Sequence, residues 1–118
     1  MIRKYGDVTP VLDPTVRMLE PCTVAGDVHV GADSSIWFGA TVRGDIGPVR
    51  IGSRVNVQEN SVIHESLGGP ACVIEDDVTV GHAAVIHGAH LKRGCLIGMG
   101  AVVLDGAVIG EGAMVGAG

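Results

Sequence analysis

The sequence predicts an all-β fold in which short parallel strands wind into a β-helix of hexapeptide repeats. The first observation is a six-residue period of aliphatic residues. The period covers fifteen positions and is interrupted by three steps that are not six residues long. The positions are Val24, Val30, Ile36, Val42, Ile51, Val57, Ile63, Ile74, Val80, Ile86, Leu91, Ile97, Val103, Ile109 and Val115. All but one of these residues are β-branched, a type enriched in strands. Such a period is typical of a parallel β-helix whose neighbouring coils pair about 4.8 Å apart.

The corners between the strands are the second observation. Three residues after most of these aliphatics stands a glycine, aspartate or asparagine, the types that most readily adopt a left-handed backbone. The positions that follow this rule are Asp27, Asp33, Gly39, Asp45, Asn60, Asp77, Gly94, Gly100, Gly106, Gly112 and Gly118. The positions that depart from it are Arg54, Ser66, Ala83 and Ala89. The rule predicts a corner after each short strand.

Composition and charge limit the classes of partner. The chain has 118 residues and a formal net charge of -5, whereas nucleic acids and anionic membrane surfaces require a basic face. We therefore expect no nucleic-acid partner and no membrane partner. Three widely separated cysteines, Cys22, Cys72 and Cys95, argue against a disulfide framework and favour a reducing compartment. The N-terminal residues lead into no apolar signal segment, so we expect a cytoplasmic protein.

Two parts of the chain differ in regularity. Residues 1–23 contain three prolines and no clear period, so we expect an N-terminal lead-in segment that covers one end of the fold. Residues 24–118 carry the repeat and are expected to form the β-helix domain. This part resembles the left-handed β-helix superfamily, whose members wind three hexads into each triangular coil, which implies roughly five coils here. The left-handed winding is implied by the resemblance alone, because parallel connections are otherwise right-handed.

The strongest functional signal is the placement of three histidines. Counting hexads rather than residues places His64 and His87 on the same face in consecutive coils, with outward side chains and about 4.8 Å between their backbones. Two imidazoles at this spacing can bind one metal through Zn–N bonds of about 2.0–2.1 Å. His82 lies on a different face and diverges, so a metal held by all three requires His82 from another subunit. His29 and His90 are interpreted as solvated bystanders or as satisfied polar groups at coil corners.

Several motifs resemble those of γ-class carbonic anhydrases. They are Arg43-Gly44-Asp45, Asn56-Val57-Gln58-Glu59-Asn60, His64, Gly81-His82 and His87-Gly88. The resemblance implies that the three histidines bind Zn²⁺, with Fe²⁺ or Co²⁺ as alternatives, at the subunit interfaces of a homotrimer. It also implies that Arg43 and Asp45 join subunits and shape the site. Gln58 is expected to hold a metal-bound hydroxide by a hydrogen bond, and Glu59 to add a carboxylate near the site.

The implied activity is the reversible hydration of carbon dioxide to bicarbonate by a zinc-bound hydroxide. Three neutral imidazoles leave the metal its charge and an open position, so the pKa of a bound water falls to near neutrality. The most active relatives carry a longer acidic loop, with a proton-shuttling glutamate, between the residues that match His64 and His82. Here that loop is short and Glu65 is the only carboxylate beside its start, so weak activity is expected. The sequence ends at Gly118, so we expect this chain to be without the C-terminal helix that the resemblance would imply.

Two other classes of protein remain open. Hexapeptide acyltransferases share the repeat and the Gly98-Met99-Gly100-Ala101 type of coil, often with one catalytic histidine and coenzyme A between subunits. They do not need three ligating histidines, so metal content separates them from carbonic anhydrases. The other class is a non-catalytic, metal-stabilised trimer that serves as a scaffold. An activity measurement separates that scaffold from an enzyme.

Overall fold

The structure, a computed structural model, describes residues 1–118 and consists of short strands without any helix. The strands are β1 (Ile2–Arg3), β2 (Val11–Leu12), β3 (Arg17–Met18), β4 (Thr23–Val30), β5 (Ser35–Ile36), β6 (Thr41–Ile51), β7 (Asn56–Val57), β8 (Val62–His64), β9 (Cys72–Ile74), β10 (Thr79–Val80), β11 (Val85–His87), β12 (His90–Leu91), β13 (Leu96–Ile97), β14 (Val102–Val103), β15 (Val108–Ile109) and β16 (Met114–Val115). The structure therefore has no helix with the length and apolar character that crossing a membrane requires.

Strands of successive coils pair in parallel on three faces. Face 1 contains β8, β11 and β14 and aligns Val24, Val42, Ile63, Ile86 and Val103. Face 2 contains β9, β12 and β15 and aligns Val30, Ile51, Ile74, Leu91 and Ile109. Face 3 contains β5, β7, β10, β13 and β16 and aligns Ile36, Val57, Val80, Ile97 and Val115. The predicted fold class, an all-β left-handed parallel β-helix of hexapeptide repeats, is confirmed.

The first 23 residues form an additional irregular coil. Their three short strands pair in parallel with the coil that follows, through Ile2 with Val24, Leu12 with Val30 and Met18 with Ile36. The β-helix therefore has about six turns, one more than the sequence predicts, because the hexapeptide period is not visible in this proline-containing segment. The boundary at residue 23 stays a prediction, since strand pairing runs across it.

The core runs along the axis of the β-helix. Of the fifteen predicted inward residues, all but Ile109 and Val115 are buried, and those two pack against the core from the last coil. A second inward position lies two residues before most of these aliphatics. It holds valine, alanine, serine or cysteine, and all three cysteines are at such positions. Burial raises the pKa of all three thiols, that of Cys72 to about 12. The cysteines thus fill space in the core and are poor nucleophiles.

The corners follow the sequence rule at most positions. Asp33, Asn60 and Asp77 have positive φ, as do the predicted glycines. The rule is wrong at Asp27 and Asp45, whose φ angles are not positive, because β4 and β6 run without a break through that corner. Positive φ angles also occur at Arg54 and Ala83, two residues of types that the rule does not include. At these corners the position in the coil determines the backbone conformation more than the residue type does.

Candidate metal centre

Two of the three predicted ligands meet on face 1. His64 ends β8 and His87 ends β11, and the two residues are paired across adjacent coils. Their ring centroids are 5.1 Å apart with the planes at 72°, and Nδ1 of His64 lies 3.2 Å from Nε2 of His87. Two nitrogens bound tetrahedrally to one zinc at about 2.0–2.1 Å are themselves about 3.3 Å apart. The pair therefore has the separation that two ligands of one metal require.

The outer nitrogens of these two rings face carboxylates. Nε2 of His64 is 2.9 Å from Oδ1 of Asp45, and Nδ1 of His87 is 2.5 Å from Oδ1 of Asp105. A carboxylate only accepts hydrogen bonds, so each neutral ring carries its proton on that outer nitrogen. Arg43 Nη2, which only donates, lies 3.4 Å from Nδ1 of His64, in agreement with a lone pair there. The two facing nitrogens therefore both present lone pairs, an arrangement that a bound cation stabilises.

Asp45 holds this side of the centre together. Its Oδ2 accepts a hydrogen bond of 2.7 Å from Nη1 of Arg43, in addition to the one from His64. Burial alone would raise the pKa of Asp45, but the hydrogen bonds from His64 and Arg43 outweigh it and lower the pKa below its usual value. The carboxyl is thus ionised at neutral pH. Within one chain, Arg43 and Asp45 pair with each other.

Glu65 is a second carboxyl at the centre. Its side chain is 1% exposed, and neither of its oxygens has a hydrogen-bond partner. Burial raises the pKa of Glu65, an effect opposed only in part by His64 and by the nearby backbone amides of Ile46 and Gly47. One ligand atom from each of Asp45, His64 and Glu65 lies within 4.8 Å of the others. The sequence identifies Glu65 only as a carboxylate beside a loop, whereas the structure buries it against a predicted ligand.

His82 stands apart from the other two histidines. It follows β10 at the edge of face 3 and its side chain is 49% exposed. Nδ1 of His82 lies 2.7 Å from Oε2 of Glu59. Nε2 therefore stays available at the surface. The single chain does not bring His82 to His64 and His87, which is the arrangement expected if it serves another copy.

The remaining predicted residues lie with His82. Gln58 follows β7 on face 3, one coil before Gly81, and its backbone N–H donates to Val80. Glu59 is the next residue and contacts His82. The predicted site thus divides into two groups: Arg43, Asp45, His64 and His87 on one side of the prism, and Gln58, Glu59 and His82 on another.

The sequence analysis missed Asp105. Val103 pairs with Ile86, so Asp105 occupies the position that Gly88 has one coil earlier, directly beside His87. A hydrogen bond from Ser66 and a second from His87 lower the pKa of Asp105 below its usual value. The available signal was an acidic residue at the coil position next to a predicted ligand, which the hexad count could have located.

Comparisons with known proteins extend the structural result. Residues 88–118 match the bacterial transferase hexapeptide (six repeats) family. A Bacillus cereus protein provisionally called an acetyltransferase has the same fold, with a TM-score of 0.86 and 38% identity, and the match covers 98% of this chain and 74% of that one. The fold and these similarities define the class, a hexapeptide-repeat β-helix protein.

Curated sequences are more specific. The carbonic anhydrase of Geobacillus kaustophilus is 47% identical over 100 residues, which is 85% of this chain and 54% of that protein. The mitochondrial gamma carbonic anhydrase 1 of Arabidopsis thaliana is 43% identical over 99 residues, which is 80% of this chain and 36% of that protein. The chain thus spans about half, or less, of the length of these curated relatives. Within the hexapeptide-repeat class, it belongs to the γ-class carbonic anhydrase family.

Proposed function

We propose that the chain binds a divalent metal between two copies of itself and that the assembled protein catalyses the reversible hydration of carbon dioxide to bicarbonate. His64 and His87 of one copy and His82 of a second copy hold the metal. One observation carries the proposal: two imidazole nitrogens face each other at 3.2 Å while the outer nitrogen of each ring faces a carboxylate. Two neutral rings in that arrangement direct lone pairs at each other, a repulsion that a cation bound by both nitrogens removes.

The donor set favours Zn²⁺. Three neutral imidazoles suit Zn²⁺ and, as alternatives, Fe²⁺ or Co²⁺, whereas Mg²⁺ and Ca²⁺ prefer oxygen ligands. Each of the three rings has a carboxylate on its second nitrogen, and the pairs are His64 with Asp45, His82 with Glu59 and His87 with Asp105. Partners of this kind fix the tautomer and the orientation of a ligating histidine.

The position of His82 supports a site between subunits. A half-exposed ring held at Nδ1 by Glu59 offers Nε2 to a neighbouring molecule. Each copy provides a histidine pair on face 1 and a single histidine at the edge of face 3. Three copies around a threefold axis complete three equivalent sites, because every interface then joins the same two surfaces. We therefore propose a homotrimer.

The residues around the ligands prepare the site for hydration. His64, His87 and His82 of a second copy would hold Zn²⁺, which would supply Lewis acidity strong enough to ionise water near neutral pH. Gln58 offers an uncharged amide that orients the nucleophile without neutralising it. Arg43 stays paired with Asp45, so the charge of this carboxylate is balanced while it accepts the hydrogen bond from Nε2 of His64.

The test combines metal analysis with a stopped-flow assay of carbon dioxide hydration, on protein purified without chelators. Wild type is expected to hold about one metal per chain, a ratio set by three sites in a trimer. His64→Ala, His82→Ala and His87→Ala should each lose metal and activity. His90→Ala is the matched control, because His90 also contacts a carboxylate, Glu75, at 2.6 Å. Full metal retention in any of the three ligand variants would contradict the proposal.

Similarity to a protein provisionally called an acetyltransferase supports one other function, acyl transfer from coenzyme A. Acyl transfer is favoured if metal-free wild type binds coenzyme A and His82→Ala binds it equally well. A protein that holds metal but neither hydrates carbon dioxide nor binds coenzyme A would instead be a metal-stabilised scaffold. The three functions are thus separated by metal content, hydration rate and coenzyme A binding.

A further inference from the structure

Asp105 comes from the coil that follows His87. Its Oδ1 lies 2.5 Å from Nδ1 of His87. Because the carboxylate only accepts, Nδ1 carries the proton of the neutral ring. Nε2, which faces His64 at 3.2 Å, therefore keeps its lone pair.

Two glycines leave the space that this contact needs. A Cβ atom at Gly88 would lie 2.6 Å from Oδ1 of Asp105, and one at Gly69 would lie 3.3 Å from Oδ2. Gly69 belongs to the turn after β8, in which its N–H donates to the Ser66 carbonyl at 2.9 Å. The same Cβ position at Gly69 would lie 3.0 Å from Cβ of Ser66, so Ser66 and Asp105 flank one point of this turn. One carboxylate thus contacts His87 and lies beside the turn that follows His64.

We propose that Asp105 is a positioning residue of the metal centre, which fixes the tautomer and orientation of His87 and ties the turn after His64 to the same ring. The inference rests on the proposed function, because the position of His87 matters to the metal only if His87 is a ligand. A neutral imidazole otherwise divides its proton between two nitrogens, and a ring protonated at Nε2 does not bind metal there. Removing such a partner typically weakens metal binding about 10–100-fold.

The experiment compares Asp105→Ala with Glu75→Ala. Glu75 is the matched control, because its Oε1 lies 2.6 Å from Nε2 of His90 on another face. Zn²⁺ affinity is measured by competition with a chromophoric chelator, and the His87 tautomer by ¹⁵N chemical shifts of the metal-free protein. Asp105→Ala should weaken Zn²⁺ binding about 10–100-fold and give a mixture of His87 tautomers. Glu75→Ala should leave both unchanged, and Asp105→Asn, whose carbonyl oxygen still accepts from Nδ1, should recover part of the affinity.

The outcomes separate this inference from the proposed function. If Asp105→Ala and Asp105→Asn both keep wild-type Zn²⁺ affinity and an unchanged His87 tautomer, Asp105 does not position the ligand. Equal losses of affinity in Asp105→Ala and Glu75→Ala would also overturn the inference, because the effect would not be specific to the centre. Wild type that binds no Zn²⁺, or His87→Ala that binds it normally, would overturn the proposed function, and the metal-free tautomer would still report whether Asp105 orients His87.

Discussion

At the residue scale, the recurring unit of the centre is a histidine with one nitrogen against a carboxylate. Each partner belongs to a coil adjacent to that of its histidine, and the separations in sequence are 19, 23 and 18 residues for His64 with Asp45, His82 with Glu59 and His87 with Asp105. The sequence predicts Asp45 and Glu59 as site residues without identifying their partners. Which histidine each carboxylate contacts follows from the register between coils.

An ion pair between adjacent coils, away from the metal centre, allows the contribution of the Asp27 charge to stability to be tested. Arg50 Nη1 lies 2.8 Å from Oδ1 of Asp27, and hydrogen bonding from Arg50 lowers the pKa of Asp27 from its ordinary value of 3.8. A lowered folded-state pKa stabilises the protein above the unfolded value, and this contribution is lost as the pH falls through the folded value. Asp27→Asn should therefore lower the free energy of unfolding at pH 7, by less than about 1 kcal/mol because the pair is partly exposed.

The measurement is urea unfolding of wild type and Asp27→Asn at several pH values. The difference in free energy of unfolding should shrink once the pH is below 3.8, the ordinary pKa of the carboxyl. A difference that stays constant across that range would show that the ion pair does not account for the effect of the substitution.

At the element scale, β4 and β6 differ from the other strands. They contain 8 and 11 residues and continue through a corner that separates two strands in the later coils. Their backbones approach closely at two glycines, since a Cβ atom at Gly26 would lie 2.3 Å from the carbonyl oxygen of Gly44. The left-handed residue in β4 is Gly26, not Asp27. In β6, Asp45 lies within the continuous strand, and its carboxylate contacts Arg43 and His64.

This close approach predicts that Gly26→Ala destabilises the protein more than Gly100→Ala. Both glycines have positive φ, 78° and 69°, so alanine at either position carries a strain of about 1–2 kcal/mol. Only at Gly26 does the new Cβ atom also overlap backbone, because nothing lies within 4 Å of one at Gly100. We expect Gly26→Ala to cost about 2 kcal/mol more, the scale of an overpacked site. Urea unfolding at one fixed protein concentration measures both, and equal losses would show that the coils can separate at little cost.

At the scale of the whole molecule, the β-helix separates the proposed ligands. His64 and His87 lie on face 1, and His82 lies at the edge of face 3. The core fills the axis between the faces, so these side chains cannot meet through the interior. A site that uses all three has to be completed by a second copy of the chain.

Mixed assembly of two inactive variants tests this sharing. His64→Ala keeps an intact His82, and His82→Ala keeps the intact pair of His64 and His87. When the two variants are unfolded together and reassembled, some interfaces should join the intact pair of one chain to the intact His82 of another. Metal binding should then return in part, measured on mixed trimers isolated with two different affinity tags. Mixed trimers that bind no more metal than the separate variants would place each site within one chain.

The sequence by itself determined the fold class, the inward positions and the alignment of His64 with His87. Fifteen aliphatic positions repeat the same inward pattern, so the pattern is redundant and tolerates irregular steps. Parallel pairing then aligns equivalent hexads, because a slip by one residue would turn every inward side chain outward. The hexad count also assigned His82 to a different face, and the family motifs added the surrounding polar residues to this frame.

Only the tertiary structure decided the hydrogen-bond partners of the histidines, the burial of Glu65 and the contact of Asp105 with His87. It also decided that Arg54 and Ala83 take left-handed corners that their residue types disfavour. A repeat locates a side chain to one face and one coil, a precision of about 4.8 Å. Hydrogen bonds and metal ligation depend on distances near 3 Å and on ring orientation. Those are set by the exact path of the chain through its irregular steps and by residues one coil away, which a local period does not specify.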